Sequence, residues 1–166
     1  PEVNDEPVLD YLKQENAYYQ SFLEPHRGFV DTIFEEFKGR TDEEETSVPY
    51  VDNGYEHRWF FRPGEEYRTR SRTNLKTGEE EIFLDETELA KGHEYFVLGG
   101  WEISPDNRYL AYSVDTAGDE RYEVRVKDLQ TGELLIDVLN DVQGGITFSA
   151  DGTSSVSYTH LRAHET

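Results

Sequence analysis

The run Ile103-Ser104-Pro105-Asp106-Asn107 returns as Phe148-Ser149-Ala150-Asp151-Gly152, 45 residues further along the chain. Each copy places an apolar residue before a short polar turn. In such a turn the Asp carboxylate accepts backbone N–H groups, and Asn or Gly tolerates positive φ. A chain that repeats one turn at a fixed distance is building the same small unit twice.

The residues between the copies say what the unit is. Four strand-like runs stand in a row: "YFVLGGWEI" (95–103), "RYLAYSVD" (108–115), "YEVRVKD" (122–128) and "LLIDVL" (134–139). Their connections, "SPDN", "TAGDER" and "LQTGE", hold the residues that favour hairpins. Tyr122, Val124 and Val126 alternate with Glu123, Arg125 and Lys127, the pattern of a half-buried antiparallel strand. A repeat of about 40–50 residues with four short strands has the length of a β-propeller blade. A two-layer sandwich is the competing architecture, but it predicts no fixed period.

An earlier unit of the same kind is expected from "YEHRWFFR" (55–62), "YRTRSRT" (67–73) and "EIFL" (81–84), with "SVPYV" (47–51) as a short edge strand. Pro49 is acceptable at an edge. "DETELAKG" (85–92) reads as a turn or two of helix. Residues 153–157 lack the paired large side chains of a core strand, and the tail through Thr166 carries no periodicity and looks non-native.

Before residue 41 the period is helical. Asn4 or Asp5 is placed to cap a first helix, with Pro7 in its first turn. Val8, Tyr11, Leu12, Tyr19, Phe22 and Leu23 share an arc of roughly 120°. Glu15 falls within that stripe, either turned to water or aimed at a polar partner. Pro25 is expected to end this helix. Phe29, Val30, Ile33, Phe34 and Phe37 give a second apolar face, and Gly39 a stop. The fold expected is thus mainly β: a partial β-propeller of two four-stranded blades and the start of a third, preceded by a pair of α-helices. The expected divisions are 1–40 for the helical arm, 41–153 for the blades and 154–166 for the tail.

Composition narrows function. The net charge of −20 opposes non-specific binding to DNA or RNA. It fits either a solubilising surface or attraction of cationic peptides. No apolar run approaches the roughly 18 residues of a membrane span. Neither a nucleic-acid nor a membrane partner is therefore expected. Cysteine is absent, which excludes disulfide and thiol chemistry here. The chain opens at Pro1 without a basic-then-apolar leader and contains no methionine, so it reads as part of a longer product. The expected compartment is the cytoplasm, with the periplasm as the alternative.

No catalytic, cofactor-binding or metal-binding residue is assigned. There is no G-x-S-x-G elbow, and Ser113 and Ser149 lie in strand patterns. Of the histidines 26, 57, 93, 160 and 164, only the last two have helical ligand spacing, and both lie in the tail. No phosphate-binding loop is present, and Gly99-Gly100 and Gly144-Gly145 read as points of close backbone approach. Arg68, Arg70 and Arg72 share one strand face, with Glu79, Glu80 and Glu81 placed to pair with them. A solvent face laced by ion pairs is the plain expectation, an anion site the sharper one.

These stretches together carry a resemblance. "PVLDYLKQENAYYQSFL" (7–23), "FEEFKGR" (34–40), "DEEETSVPYVDNGY" (42–55), "GHEYFVLGGWEISPDNRYLAYSVDTAGDERYEVRVKDLQTGELL" (92–135) and the start of "GGITFSADG" (144–152) resemble, in order and spacing, the N-terminal region of oligopeptidase B (protease II) in the prolyl oligopeptidase family. The resemblance implies a cytoplasmic serine endopeptidase in which a propeller caps an α/β-hydrolase domain and restricts access to short peptides. It implies cleavage after Lys or Arg, with short basic peptides as substrates, and no cofactor. It implies that the helical arm packs on the hydrolase domain. The family's Ser, Asp and His follow the propeller in chain order, so none maps here, and this stretch alone is expected to be inactive. A non-enzymatic propeller scaffold that binds peptides or proteins is the alternative.

Overall fold

A computed structural model describes residues 5–42 and 44–157. The tail from 158 onward, including His160 and His164, lies outside the described residues. The chain divides into two compact units, Pro1–Asp42 and Glu43–Thr166.

The first unit is helical. Helix α1 spans Glu6–Leu23 and α2 spans Arg27–Lys38, joined by a 3₁₀ turn at Glu24–His26. Asp5 occupies the N-cap position of α1 without a side-chain cap, and Pro7 sits in the first turn. Pro25 does not end the helical path. It tightens it into the 3₁₀ turn, where the missing N–H is tolerated. At Gly39 α2 stops with φ −67°, so the stop does not use the left-handed freedom of glycine. The apolar faces are exposed in this structure: Tyr11, Phe22, Phe29, Phe34 and Phe37 are each more than half accessible.

The second unit is built from antiparallel sheets in strict sequence order. Strands β1 (Tyr50–Asp52), β2 (Tyr55–Phe60), β3 (Thr69–Asn74) and β4 (Glu80–Asp85) form the first. The short helix α3 (Glu86–Ala90) follows, capped by the Asp85 carboxylate accepting Glu88 N–H. Then come β5 (Val97–Ile103), β6 (Tyr109–Asp115), β7 (Tyr122–Asp128) and β8 (Leu134–Val142), which form the second four-stranded sheet. Strands β9 (Thr147–Phe148) and β10 (Ser155–Val156) pair as a third. Each sheet is a plain meander without crossovers. Two four-stranded blades and the opening of a third are therefore present, as the 45-residue repeat requires. Ser155 and Val156 pair with β9 through the backbone ladder, while the Val156 side chain stays exposed, in keeping with a stretch that lacks the large residues of a core strand.

The repeat is also atomic. Ser104 Oγ donates to Asp106 at 2.5 Å, and Ser149 Oγ donates to Asp151 at 2.6 Å. The Arg108 and Thr153 N–H groups each donate to that Asp at 3.1 Å. Tyr109 N–H and Ser154 N–H donate back to the two Ser hydroxyls. One Ser-x-Asp turn, made twice, fixes the register of β5 with β6 and of β9 with β10.

The core lies between the first two blades. Phe83 and Leu84 of β4 pack with Leu110 and Tyr112 of β6, joined by Trp101, Ile103 and Val114. Burying Leu110 or Phe83 contributes about 2–3 kcal/mol each. Strand β6 is covered on both faces. Its large residues face the first blade, and its small ones, Ala111 and Ser113, are also buried. Ser113 Oγ donates to Gly144 O at 2.6 Å. Small side chains there let the start of the third blade approach closely.

Candidate functional site

The three arginines of β3 and its approach are the best guide to the seam between the blades. Arg72 is 3% exposed. Its Nε donates to Glu81 at 2.6 Å, its Nη2 donates to Asn107 O at 3.2 Å, and its guanidinium lies 4.3 Å from the Tyr55 ring centroid. Arg70 pairs with Glu86 at 2.8 Å and stands 5.4 Å from the Trp101 ring. Arg68 stacks on Trp59 at 4.3 Å. Glu80 pairs instead with Arg58 at 2.6 Å. The face expected to be solvated thus turns inward at Arg70 and Arg72, because the second blade covers it. Burial pushes the Glu86 carboxyl above its ordinary range, and Arg70 opposes that shift.

His57 lies beside Arg72 as its cross-strand partner and is 5% exposed. Its ring stacks on Tyr50 at 5.1 Å, meets Phe83 edge-on at 5.9 Å and lies 6.5 Å from Trp101. Burial, then the charge of Arg72, holds its pKa below the ordinary histidine range, against a hydrogen bond with the Asp52 backbone. The imidazole is therefore neutral near pH 7. Its Nδ1 has no hydrogen-bond partner.

Where the hairpins β1–β2 and β5–β6 meet, the seam opens into a cavity of about 300 Å³. Tyr50, Asp52, His57, Trp101, Glu102 and Asn107 contribute to its walls. Burial and then the Asp52 charge raise the Tyr50 phenol above its ordinary value. Glu102 accepts Phe148 N–H at 2.9 Å, which ties the site to the third blade. Sequence reading found the strands that carry these residues but not their convergence. The missed signal was a histidine and an arginine, His57 and Arg72, inside strands whose alternation already marked two faces.

The other sequence candidates fall into structural roles. Ser113 is held by Gly144 O, and Ser149 by Asp151 and the Ser154 carbonyl. His93 lines a second cavity of about 340 Å³ with Leu89, Phe96 and Tyr112. Gly99 and Gly100 pack where a Cβ would lie 2.3 Å from the Tyr122 ring and 2.6 Å from Gly144 O, so close approach is their role. No cluster of three metal-ligating side chains occurs among the described residues. No helix among them is long and apolar enough to cross a membrane.

Comparison with known proteins places this geometry. The family described as prolyl oligopeptidase, N-terminal beta-propeller domain, matches residues 2–163. The chain is 32% identical over 161 residues to dipeptidyl aminopeptidase BI of Pseudoxanthomonas mexicana, covering 87% of this chain and 22% of that protein. It is 30% identical over 141 residues to protease 2 of Moraxella lacunata, covering 81% and 20%. Among solved structures, oligopeptidase B of Leishmania major superposes with a TM-score of 0.84 at 24% identity, covering 94% of this chain and 23% of that one. Oligopeptidase B of Trypanosoma brucei, with covalently bound antipain in a closed form, gives 0.74 at 29% identity, covering 88% and 21%. The chain thus spans about a fifth of the length of the curated relatives it matches. With two blades in series, the Ser-x-Asp turn made twice and the family match across nearly every residue, the chain belongs to the prolyl oligopeptidase family, as part of its N-terminal β-propeller.

Proposed function

We propose that this chain is the propeller part of a cytoplasmic serine-type oligopeptidase that cleaves short peptides after Lys or Arg. The observation that carries the reading is the family match over 2–163, on a structure with two four-stranded blades in series. The propeller restricts access to small substrates, and an α/β-hydrolase domain elsewhere in the protein performs the chemistry. There a Ser attacks the scissile carbonyl, a His accepts and returns the proton, an Asp orients the His, and backbone donors hold the oxyanion. No residue of this chain is given a catalytic role, and the stretch alone is inactive. The charge of −20 favours the approach of cationic peptides, most strongly at low salt.

The name of the Pseudoxanthomonas relative supports a second reading, removal of dipeptides from a free N-terminus. The scaffold alternative predicts further blades and no G-x-S-x-G in the parent gene. The test uses the full-length gene product. An Nα-blocked arginyl chromogenic substrate is expected to be hydrolysed, and a serine-reactive fluorophosphonate to abolish the activity. Hydrolysis only of substrates with a free N-terminus selects the dipeptidyl reading. A well-folded full-length product that hydrolyses neither rejects the enzyme.

A further inference from the structure

His57 and Arg72 stand side by side at the seam between the first two blades, as cross-strand partners on β2 and β3. They are 5% and 3% exposed. Each keeps one buried nitrogen without a hydrogen-bond partner, Nδ1 of His57 and Nη1 of Arg72. Arg72 is a permanent cation, so this place already holds one charge and one unanswered N–H. The His57 ring touches both blades. It stacks on Tyr50 of β1, meets Phe83 of β4 edge-on and lies 6.5 Å from Trp101 of β5. Arg72 reaches across in the same direction, donating Nη2 to Asn107 O in the β5–β6 turn.

The neutral ring fits such a place, and the protonated ring does not. The hydrogen bond to the Asp52 backbone uses the other nitrogen, so protonation adds an N–H at Nδ1. That N–H has no acceptor, and it sets a second cation beside Arg72. The groups on the surrounding elements do not compensate. Tyr50 of β1 and Tyr55 of β2 present rings. β4 presents Phe83, and its Glu81 is already bound to Arg72. On β3, Arg70 is bound to Glu86. On β5, Glu102 accepts Phe148 N–H. The Asp52 carboxylate of β1 favours the protonated ring, but burial and Arg72 outweigh it.

We propose that His57 is an acid-sensitive latch on this seam: its neutral ring holds the two blades closed, and protonation releases the β1–β2 and β5–β6 hairpins from each other. The release is local, because the apolar contacts of Leu84 and Leu110 and the backbone ladders of both sheets do not titrate. The latch is built into the fold and does not depend on the peptidase reading. The closed seam holds the His57 pKa below the ordinary 6.5, so the opened seam takes up the proton first. Closure is fully favoured above pH 6.5. It weakens about 10-fold for each unit below that, until the closed-state value is reached. Glu86 runs the other way, since burial raises its carboxyl and acid favours its folded form.

The test uses the full-length gene product. Amide hydrogen exchange is read peptide by peptide by mass spectrometry at about pH 7.5 and about pH 5.5, with the intrinsic rate at each pH divided out. Peptides covering 50–60 and 101–110 are expected to open about 10-fold more at the lower pH, and those of β7 and β8 to stay within about twofold. His57→Phe keeps a ring without a titrating nitrogen and is expected to abolish the difference. His57→Gln serves the same purpose if the phenylalanine variant does not fold. His93→Asn, at the other cavity, is expected to keep the difference. The proposal is overturned if the unsubstituted protein shows no difference at the seam, or one as large in β7 and β8. It is equally overturned if the difference survives the loss of His57 or disappears in His93→Asn.

Discussion

Asn53 donates its side-chain amide to Pro105 O at 2.7 Å, and Asn107 returns a bond to Asn53 O at 3.3 Å. The tips of the β1–β2 and β5–β6 hairpins are thus clasped across the seam. Both asparagines adopt positive φ, 44° and 63°. Asn tolerates that region because its short polar side chain can bond locally. Asn53→Gly keeps the backbone and loses the bond, and is expected to cost about 1 kcal/mol. Asn53→Ala adds strain in the left-handed region, for about 2 kcal/mol in all. Urea midpoints of the two variants check the order; an alanine variant as stable as the glycine one contradicts it.

Gly100→Ala places a methyl 2.6 Å from a backbone oxygen, that of Gly144. Gly99→Ala strikes the Tyr122 ring at 2.3 Å and Ser113 Oγ at 2.7 Å, both in side chains. Each is expected to destabilise by about 1–3 kcal/mol. Trimming the ring with Tyr122→Leu should recover part of the Gly99→Ala loss and none of the Gly100→Ala loss. Thermal melts of the double variants decide this.

Arg70 and Glu86 form a largely buried pair, with side chains 13% and 10% exposed. Arg70→Met leaves the carboxylate without its partner and is expected to cost about 3 kcal/mol at pH 7. Burial has already raised the Glu86 pKa. A raised folded-state pKa means that the fold favours the protonated acid. The cost of Arg70→Met should therefore shrink as pH falls from 7 towards the ordinary glutamate range and below. Arg70→Met with Glu86→Leu should be near neutral at all pH values. A single variant whose cost does not change with pH would contradict the assignment.

Asp151 is held from an ordinary 3.8 down to about 2, by the Ser149 hydroxyl first and then by the N–H and hydroxyl of Thr153. Because the folded value is depressed, its contribution to stability is present above pH 4 and is lost as pH falls towards 2. A carboxyl-carbon NMR titration should place the midpoint near 2, and Ser149→Ala should move it up towards 3.8. An unchanged midpoint in Ser149→Ala would show that the hydroxyl is not the main cause.

The sequence by itself determined the helices, the strands, their order and the turns between them. These depend on local physics: Tyr122-Glu123-Val124-Arg125 alternates with the strand period, and Ser104 and Asp106 close their own turn within a few residues. The repeat added the blade length, and the collinear stretches added the family. Tertiary structure alone decided what each strand face meets. Alternation shows that Arg70 and Arg72 share a strand face, but not that His57 stands beside Arg72 across the strands or that a second blade covers them. In stacked blades both faces of a strand are packed, so the usual contrast between a wet face and a dry one disappears. The cavity at Tyr50, His57, Trp101 and Glu102 joins residues roughly fifty positions apart, and no local rule connects them. Only the docking of one sheet on the next brings them together.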